Sequence, residues 1–423
     1  MKQIFVNKNL RHLLFINMLF GATEATFAFR ATFLSANGIS AAQIGLVFSA
    51  MSVIAMLAPV IGGVLADKVL SRYQVFVIAV FGFAAVLGFL PLSATIRIGS
   101  IIAAMLLMPM VQLFHPVGSA MIATCSINAV AKLDNVDYSF LRLWMSLGYT
   151  IASLLFTPLV QHFGINAMYY STIVCFALIL LLRGTIRENE TEDTANSEKS
   201  REEKKAEAAA RKKSANLKGI LTNYYIISFV ILNVIYATAG TCTSCLSYIL
   251  EANDIDAAQI GTVAGLKVVG EIIVMLMLPQ IKKKFSLSGL QIMAGLFLVL
   301  ELLSMQFSKT LAMVTFSEML GGVGNGIYLS TAGLYVRKMA PKGLEATAQS
   351  ISGIGAGLGG IILSTLFGQI IEKSGVFTNY FLGTILQLSW VVLFIGTLVF
   401  GEKVLKKKNI CSMVFLKKGE EII

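Results

Sequence analysis

Long apolar runs separated by short polar joints dominate the chain. The hydrocarbon core of a bilayer needs about 20 apolar residues per helix, and the sequence contains twelve runs of about that length. The joints carry turn-forming or polar residues, as in Ser35-Ala36-Asn37-Gly38 and Pro341-Lys342-Gly343. The pattern predicts an all-α integral membrane protein with twelve transmembrane helices, over residues 11–34, 42–66, 73–95, 100–127, 140–161, 164–184, 220–248, 257–280, 287–306, 309–335, 345–371 and 376–400.

A charged segment divides these runs into six and six. Residues 187–218 are rich in Glu, Lys, Arg and Ala and are too polar to bury a core. We therefore predict an N-terminal six-helix bundle over 1–186, a charged cytoplasmic linker over 187–218, a C-terminal six-helix bundle over 219–402 and a basic cytoplasmic tail over 403–423.

The two halves contain a repeated loop. The segments Ser35–Gly45 and Glu251–Gly261 are identical at 8 of 11 positions, at an offset of 216 residues. Both segments lie between the first and second predicted helices of their half. Two parallel six-helix repeats with a site at their interface are an architecture of secondary transporters. The repeat therefore predicts two six-helix pseudo-repeats and transport by alternating access.

Composition supports a membrane protein over a soluble one. Apolar residues make up 56% of the chain and charged residues 13%, whereas soluble domains have about 45–50% and about 25%. The net charge of +11 is explained by Lys and Arg in alternate loops, so we expect no nucleic-acid partner. By the positive-inside rule, both termini are expected in the cytoplasm, and the protein in the cytoplasmic (plasma) membrane of a bacterium.

Several ionisable residues interrupt the apolar runs. Each costs about 2.5–3.5 kcal/mol near the bilayer centre, so most must face a cavity or one another. A carboxylate removed from water binds a proton more readily, which makes Glu24, Glu271, Glu301 and Glu318 candidate proton carriers, in no fixed order. The alternative is an interior salt bridge, which the i,i+4 spacing of Lys267 and Glu271 would allow. His115, before Pro116, is either a packed residue or a ligand group.

The joint after the second helix carries a recognisable motif. Gly63-Val-Leu-Ala-Asp67-Lys68, followed by Arg72, resembles the Gly-x-x-x-Asp-(Arg/Lys) loop signature of the major facilitator superfamily. With twelve helices and the internal repeat, the chain is identified as a member of that superfamily. The resemblance implies the major facilitator fold and a conformational latch formed by Gly63, Asp67, Lys68 and Arg72.

A narrower resemblance is to the oligosaccharide and nucleoside proton symporters, the lactose permease branch. Phe140-Leu-Arg142-Leu-Trp-Met-Ser-Leu-Gly-Tyr149 is similar to its Arg-x-(Trp/Phe)-Gly-Ser-x-Gly segment, and Gly270-Glu271-Ile-Ile to its Gly-Glu-(Leu/Ile)-(Leu/Ile) segment. The resemblance implies that Arg142 and Glu271 bind sugar hydroxyls and that Tyr149 stacks on the ring. The lactose permease coupling positions fall on Gly321 and Gly324. The substrate-binding candidates are Arg142, Tyr149, Glu271, Asn128, Asn325 and Gln349.

These observations predict a monomeric secondary transporter that imports a sugar, an oligosaccharide or a nucleoside together with protons. Its energy source would be the proton gradient, with no cofactor. We expect no metal site, because Cys242 and Cys245 lie in an apolar run without a second pair. An enzyme is excluded because no acid, base and nucleophile form a constellation. The alternative is a proton-driven exporter of drugs or metabolites with the same fold.

Overall fold

A computed structural model describes residues 7–130, 138–186, 218–341 and 345–406. Ten helices within these ranges are long and apolar enough to cross a membrane. Two further helices, Asn166–Leu181 and Leu311–Met339, lie at the predicted sixth and tenth crossings. Asn166–Leu181 is shorter than the ten, and Leu311–Met339 contains glycine and charged residues. Each occupies the place in the chain where the sequence predicts a crossing. The predicted all-α membrane architecture is confirmed.

Within the described residues, the first half contains seven α-helices and one small hairpin. A 3-10 helix, Ala25–Phe29, joins α1 to α2, and strands β1 (Arg97–Ile98) and β2 (Ile101–Ile102) pair antiparallel between α4 and α5. The helices are α1 (Lys8–Glu24), α2 (Arg30–Ala36), α3 (Ala41–Lys68), α4 (Arg72–Ser93), α5 (Ala104–Val130), α6 (Tyr138–Phe163) and α7 (Asn166–Leu181).

The described part of the second half begins with a short helix, and most of the helices that follow are long. A 3-10 helix, Ala257–Gln259, leads into the eighth crossing. The helices are α8 (Lys218–Leu221), α9 (Tyr224–Thr243), α10 (Leu246–Glu251), α11 (Ile260–Ile281), α12 (Leu287–Met305), α13 (Leu311–Met339), α14 (Glu345–Ser374) and α15 (Val376–Lys403).

Side-chain caps fix where several helices begin. Ser40 and Ser71 each accept a hydrogen bond from the backbone N–H three residues later, and Gln43 and Gln74 bond back to the cap residue. These two capping boxes satisfy N–H groups that have no partner inside the helix. In a helix that enters a membrane, such groups must be satisfied before the chain leaves water. The caps therefore fix the starts of α3 and α4.

The repeated loop has the same backbone geometry in both halves. Gly38 has a φ of 80° and the matching Asp254 a φ of 53°. Asn37 and Asn253 each donate a side-chain hydrogen bond of 2.7 Å to the carbonyl oxygen four residues earlier. The repeat found in the sequence is thus also a repeat of conformation, with the left-handed residue at the same position.

Contacts group the chain into two compact units. Unit 1 comprises Met1–Ala206 and Asp256–Gly265, and unit 2 comprises Glu207–Ile255 and Leu266–Ile423. The same pairs of crossings pack in each unit. The first crossing packs against the fifth, as α1 with α6 and α9 with α14. The third packs against the fourth, as α4 with α5 and α12 with α13.

Glycine allows the first and fifth crossings to pack closely in both units. A Cβ at Gly148 would meet the backbone of Met18, and one at Gly359 would meet the backbone of Val234. Small residues at helix contacts are the usual means of close packing in membranes. The hydrophobic effect does not drive helices together there, because lipid tails are as apolar as the side chains.

Candidate functional site

A buried cluster of charges lies in unit 2. The ammonium group of Lys267, on α11, donates hydrogen bonds to Glu301 on α12 at 3.0 Å and to Glu318 on α13 at 2.7 Å. The side chain of Glu301 is 0% exposed, that of Glu318 2% and that of Lys267 22%. The second oxygen of each carboxylate, Oε2 of Glu301 and Oε1 of Glu318, is buried with no hydrogen-bond partner in the described part of the chain.

The charges of this cluster do not balance. Two ionised carboxylates and one ammonium leave a net charge of −1 away from water, and an unpaired buried charge is strongly destabilising. One proton on either carboxyl group makes the cluster neutral, and like charges held close together favour that proton further. The arrangement is therefore suited to take up and release one proton.

Glycines on α13 make room for the cluster. A Cβ at Gly321 would overlap the carboxyl group of Glu301, and one at Gly322 would overlap the backbone carbonyl of Lys267. Gly321 is one of the two positions onto which the coupling residues of lactose permease fall. In this chain that space is filled by a carboxyl group from the neighbouring helix α12.

A second polar group in unit 2 combines amides, a carboxylate and aromatic rings. Asn325 donates to Glu271 at 3.3 Å, which brings together two residues that the sequence selected. Tyr328 donates to Asn233 at 3.0 Å, and the Tyr328 ring stacks on that of Tyr236 with centroids 3.7 Å apart. Amide and carboxylate groups beside aromatic faces offer both kinds of contact that a hydroxylated ring needs.

A different pair of ionisable side chains lies in unit 1. Nε2 of His115 lies 2.6 Å from Oε1 of Glu24, and their side chains are 16% and 20% exposed. The imidazole ring contacts the rings of Phe20, Phe27 and Phe83, with centroids 4.7–5.4 Å apart. The sequence showed no opposite charge near Glu24 in its helix, because the partner comes from α5.

An arginine that the sequence did not select lies among aromatic rings in unit 1. Nε of Arg30 donates to the carbonyl oxygen of Phe27 at 2.9 Å, and its guanidinium group lies over the rings of Phe27 and Phe48 at 4.8 and 5.4 Å. Tyr149 is within electrostatic range of this guanidinium group. Arg142, by contrast, is exposed near the start of α6. Its implied role in substrate binding stays a prediction.

The MFS_1 like family matches residues 9–382. The chain belongs to this family, and it is a major facilitator superfamily transporter. No curated protein sequence matches the chain. The predicted superfamily membership is confirmed, and the molecule is a transporter and not an enzyme.

Solved structures of similar fold cover most of the transporter. The nucleoside transporter NupG superposes with a TM-score of 0.74 at 14% identity, over 92% of this chain and 99% of that one. A POT family transporter in complex with 5-aminolevulinic acid gives 0.67 at 13%, over 93% and 96%. A D-xylose-proton symporter gives 0.67 at 12%, over 90% and 95%. At these identities the likeness shows the fold, and it confirms the prediction of twelve helices in two pseudo-repeats.

The predicted latch motif spans the end of α3 and the start of α4, so that the helix extends into the predicted joint. Gly63, Asp67 and Lys68 are in the last turns of α3, and Arg72 begins α4. A Cβ at Gly63 would have no described atom within 4 Å, whereas one at Gly62 would meet Val117 on α5. The side chains of Asp67 and Lys68 lie outside the described part, so the latch stays a prediction.

Two other predicted substrate-binding residues lie on separate helices. Asn128 is half-buried late in α5, and Gln349 lies in α14 with a side chain outside the described part. Among described residues, no group of three or more His, Cys, Asp and Glu is arranged to hold a metal ion. The roles of Asn128 and Gln349 in substrate binding stay predictions.

An apolar cavity of unit 1 is a poor candidate for the site. It measures about 510 Å³ between α1, α6 and α7, and residues such as Met18, Ile151 and Phe156 line it. It offers few partners for hydroxyl groups, and none of the buried ionisable residues described above lines it. The polar groups described above are therefore the better candidates.

Proposed function

We propose that this transporter imports a neutral hydroxylated solute, a sugar, an oligosaccharide or a nucleoside, together with a proton. The observation that carries the proposal is the Lys267–Glu301–Glu318 cluster. A buried group with one more carboxylate than cations has two protonation states of different charge. A transporter that changes conformation only in the neutral state couples the proton to the movement of its substrate.

The second polar group of unit 2 supports the choice of a neutral, hydroxylated substrate. Glu271 and Asn325 provide an acceptor and an amide, and Tyr328 and Tyr236 provide aromatic faces. The names of two similar structures, a nucleoside transporter and a D-xylose-proton symporter, point to substrates of the same kind. We assign Glu271 to the substrate and the Glu301–Glu318 pair to the proton.

The transport cycle follows from these assignments. A proton binds the cluster first and makes it neutral, substrate then binds, and alternating access exposes both to the other side. Substrate leaves before the proton. The proton gradient supplies the energy and no cofactor takes part. We place the protein in the cytoplasmic membrane with both termini inside, because Lys and Arg concentrate in the loops that would then face the cytoplasm.

The first test measures external pH in lightly buffered, de-energised cells that express the protein. Pulses of sugars and nucleosides are added one at a time. Alkalinisation with one compound supports inward proton symport and identifies the substrate. If the protein is correctly inserted and no compound changes the pH, import by proton symport is rejected. A proton flux released only by cationic compounds would favour the exporter.

Two matched substitutions separate binding from coupling. Glu318→Gln leaves one carboxylate for one ammonium, so we expect counterflow exchange to persist while uptake against a gradient is lost. Glu271→Gln keeps the cluster intact and is expected to raise the half-saturating substrate concentration in both assays. Full gradient-driven uptake by the Glu318→Gln protein would contradict the assignment of the proton.

A further inference from the structure

Arg30 carries a charge inside the first crossing, and the proposed function gives it no role. The crossing runs from Lys8 to Ala36, so Arg30 lies six residues, about 9 Å of helix, before its end. Its neighbours Phe29 and Ala31 are buried. An ionisable residue inside a membrane segment is costly and usually serves an ion, a substrate or a partner charge. The position of Arg30 therefore calls for a counter-charge or a ligand.

The guanidinium group of Arg30 is held by aromatic rings of the same unit. Nε donates to the carbonyl oxygen of Phe27 at 2.9 Å, and the group lies 4.8 and 5.4 Å from the ring centroids of Phe27 and Phe48. Phe48, on α3, is itself buried, so the guanidinium group lies against the interior of the unit. The faces of aromatic rings attract a cation but carry no net charge. The rings therefore orient the guanidinium group without neutralising it.

No carboxylate in the described part of the chain forms an ion pair with Arg30. Glu24, the acid of the same crossing, is paired instead with His115 at 2.6 Å. Tyr149 and Tyr169 are within electrostatic range of the guanidinium group, but phenols are uncharged at neutral pH. The described protein therefore leaves the positive charge of Arg30 without a counter-charge in contact with it.

Two nitrogen atoms of Arg30 are open to a ligand. Nη1 and Nη2 donate to no described group, yet neither is among the enclosed atoms that lack a hydrogen-bond partner. Molecules of the size of water therefore reach both atoms. The side chains of Glu24 and His115, which lie on the same aromatic residue Phe27 or next to it, are likewise partly exposed. The site thus combines an unbalanced charge with space beside the atoms that carry it.

The chemistry of these atoms favours a carboxylate. Because Nε is bonded to the backbone, Nη1 and Nη2 remain as two donors side by side, and a carboxylate accepts one hydrogen bond on each of its oxygens. One guanidinium group balances one negative charge. A phosphate group, with a charge of about −1.5 to −2 at neutral pH, would leave negative charge unbalanced in a unit that also contains Glu24. Phe27 and Phe48 offer apolar surface to the rest of the ligand.

We propose that Arg30 binds the carboxylate of a small monocarboxylic acid within unit 1. This ligand class goes beyond the neutral hydroxylated solutes assigned to unit 2, and the inference does not depend on proton coupling. The carboxylate belongs either to an acid that the transporter carries or to an anion that only occupies the site. Both sources make the same contact, in which Nη1 and Nη2 donate to the two carboxylate oxygens.

The test measures ligand binding to the whole protein in nanodiscs of phosphatidylcholine, a lipid without net charge. Acetate, butyrate and benzoate are each compared with their amides by saturation-transfer difference NMR, and empty nanodiscs give the background. We expect at least one carboxylate to bind about tenfold or more tightly than its amide, because hydrogen bonds to an ionised acceptor are the stronger ones. If none of the three binds the wild type, or if each binds no better than its amide, the proposal is overturned without any variant.

Substitutions of Arg30 assign the binding to this residue. Arg30→Gln should weaken carboxylate binding about tenfold or more, and Arg30→Lys, which keeps the charge but not the paired donors, should weaken it less. The matched control is Arg97→Gln, which removes the same charge from an exposed position of the same unit and should bind like wild type. Unchanged binding in both Arg30 variants, or equal weakening in Arg97→Gln, would reject the site. Thermal unfolding of each variant checks that it is folded.

Uptake of labelled carboxylate into proteoliposomes, relative to protein-free liposomes, distinguishes the two sources. Accumulation that Arg30→Gln loses identifies a transported acid, and binding without accumulation identifies an anion that occupies the site; either result supports the Arg30 site. The test with sugars and nucleosides remains separate. Its failure would reject the proposed function and leave carboxylate binding unaffected. Absence of carboxylate binding in a wild type that takes up a sugar or nucleoside with protons would reject only this inference.

Discussion

The two units share a scaffold but bury different charges. Unit 1 pairs Glu24 with His115, one carboxylate with one imidazole, and both side chains are partly exposed. Unit 2 buries Glu301 and Glu318 almost completely against the single ammonium group of Lys267. The first pair sets one acidic group against one basic group, whereas the second cluster has one acidic group more than it has basic groups and needs a proton from outside to become neutral. The comparison shows that a repeated fold does not repeat its chemistry.

Removal of the cation from unit 2 should have the largest effect. Lys267→Met leaves two buried carboxylates uncompensated, and the loss of one partner from a buried pair costs roughly 3–5 kcal/mol. We expect a much lower thermal unfolding temperature in detergent and little folded protein. The triple variant Lys267→Met, Glu301→Gln, Glu318→Gln should recover most of the stability. A Lys267→Met protein as stable as wild type would show that the cluster is not buried as described.

The second largest effect is expected when the carboxyl group of Glu301 is displaced. A Cβ at Gly321 would overlap the Glu301 carboxyl group, so Gly321→Ala must move that group, at a cost of about 1–3 kcal/mol. We expect proton-driven uptake to fall well below that of wild type in proteoliposomes. The matched control is Gly353→Ala, where a Cβ would have no described atom within 4 Å. Equal effects of the two substitutions would contradict the role of Gly321.

The pair in unit 1 should tolerate neutralisation better. Glu24→Gln keeps a hydrogen-bonding group opposite His115, and the partly exposed site can be hydrated. We therefore expect a loss of about 1 kcal/mol in stability and retention of uptake against a gradient. The measurement is the same uptake assay used for Glu318→Gln. If Glu24→Gln abolishes concentrative uptake, Glu24 also carries the proton and the contrast between the units is lost.

The smallest expected difference concerns the repeated loop. Gly38 has a φ of 80°, so Gly38→Ala should destabilise unit 1 by about 1 kcal/mol. Asp254, with a φ of 53°, is already a non-glycine residue at the matching position. Asp254→Gly should be nearly neutral, because relief of backbone strain is offset by the freedom that glycine gains in the unfolded chain. The measurement is the thermal unfolding temperature of both variants. Equal losses of stability in Gly38→Ala and Asp254→Gly would contradict this prediction.

The sequence by itself determined the scaffold of this transporter. Runs of about 20 apolar residues predict the crossings, and the match of Ser35–Gly45 with Glu251–Gly261 predicts the two repeats. Both depend on local composition or on direct comparison of the chain with itself, so neither needs the fold. The sequence also showed which ionisable residues enter the membrane, because the cost of placing them there follows from residue type and depth.

Only the tertiary structure decided which of these charges meet. Helical spacing shows neighbours three or four residues apart, whereas Lys267 meets partners 34 and 51 residues away and His115 a partner 91 residues away. The guanidinium group of Arg30 likewise lies over the ring of Phe48, which belongs to helix α3. Such pairs depend on how helices pack and on where glycines let them approach. A one-dimensional pattern of apolar and polar residues carries no record of either.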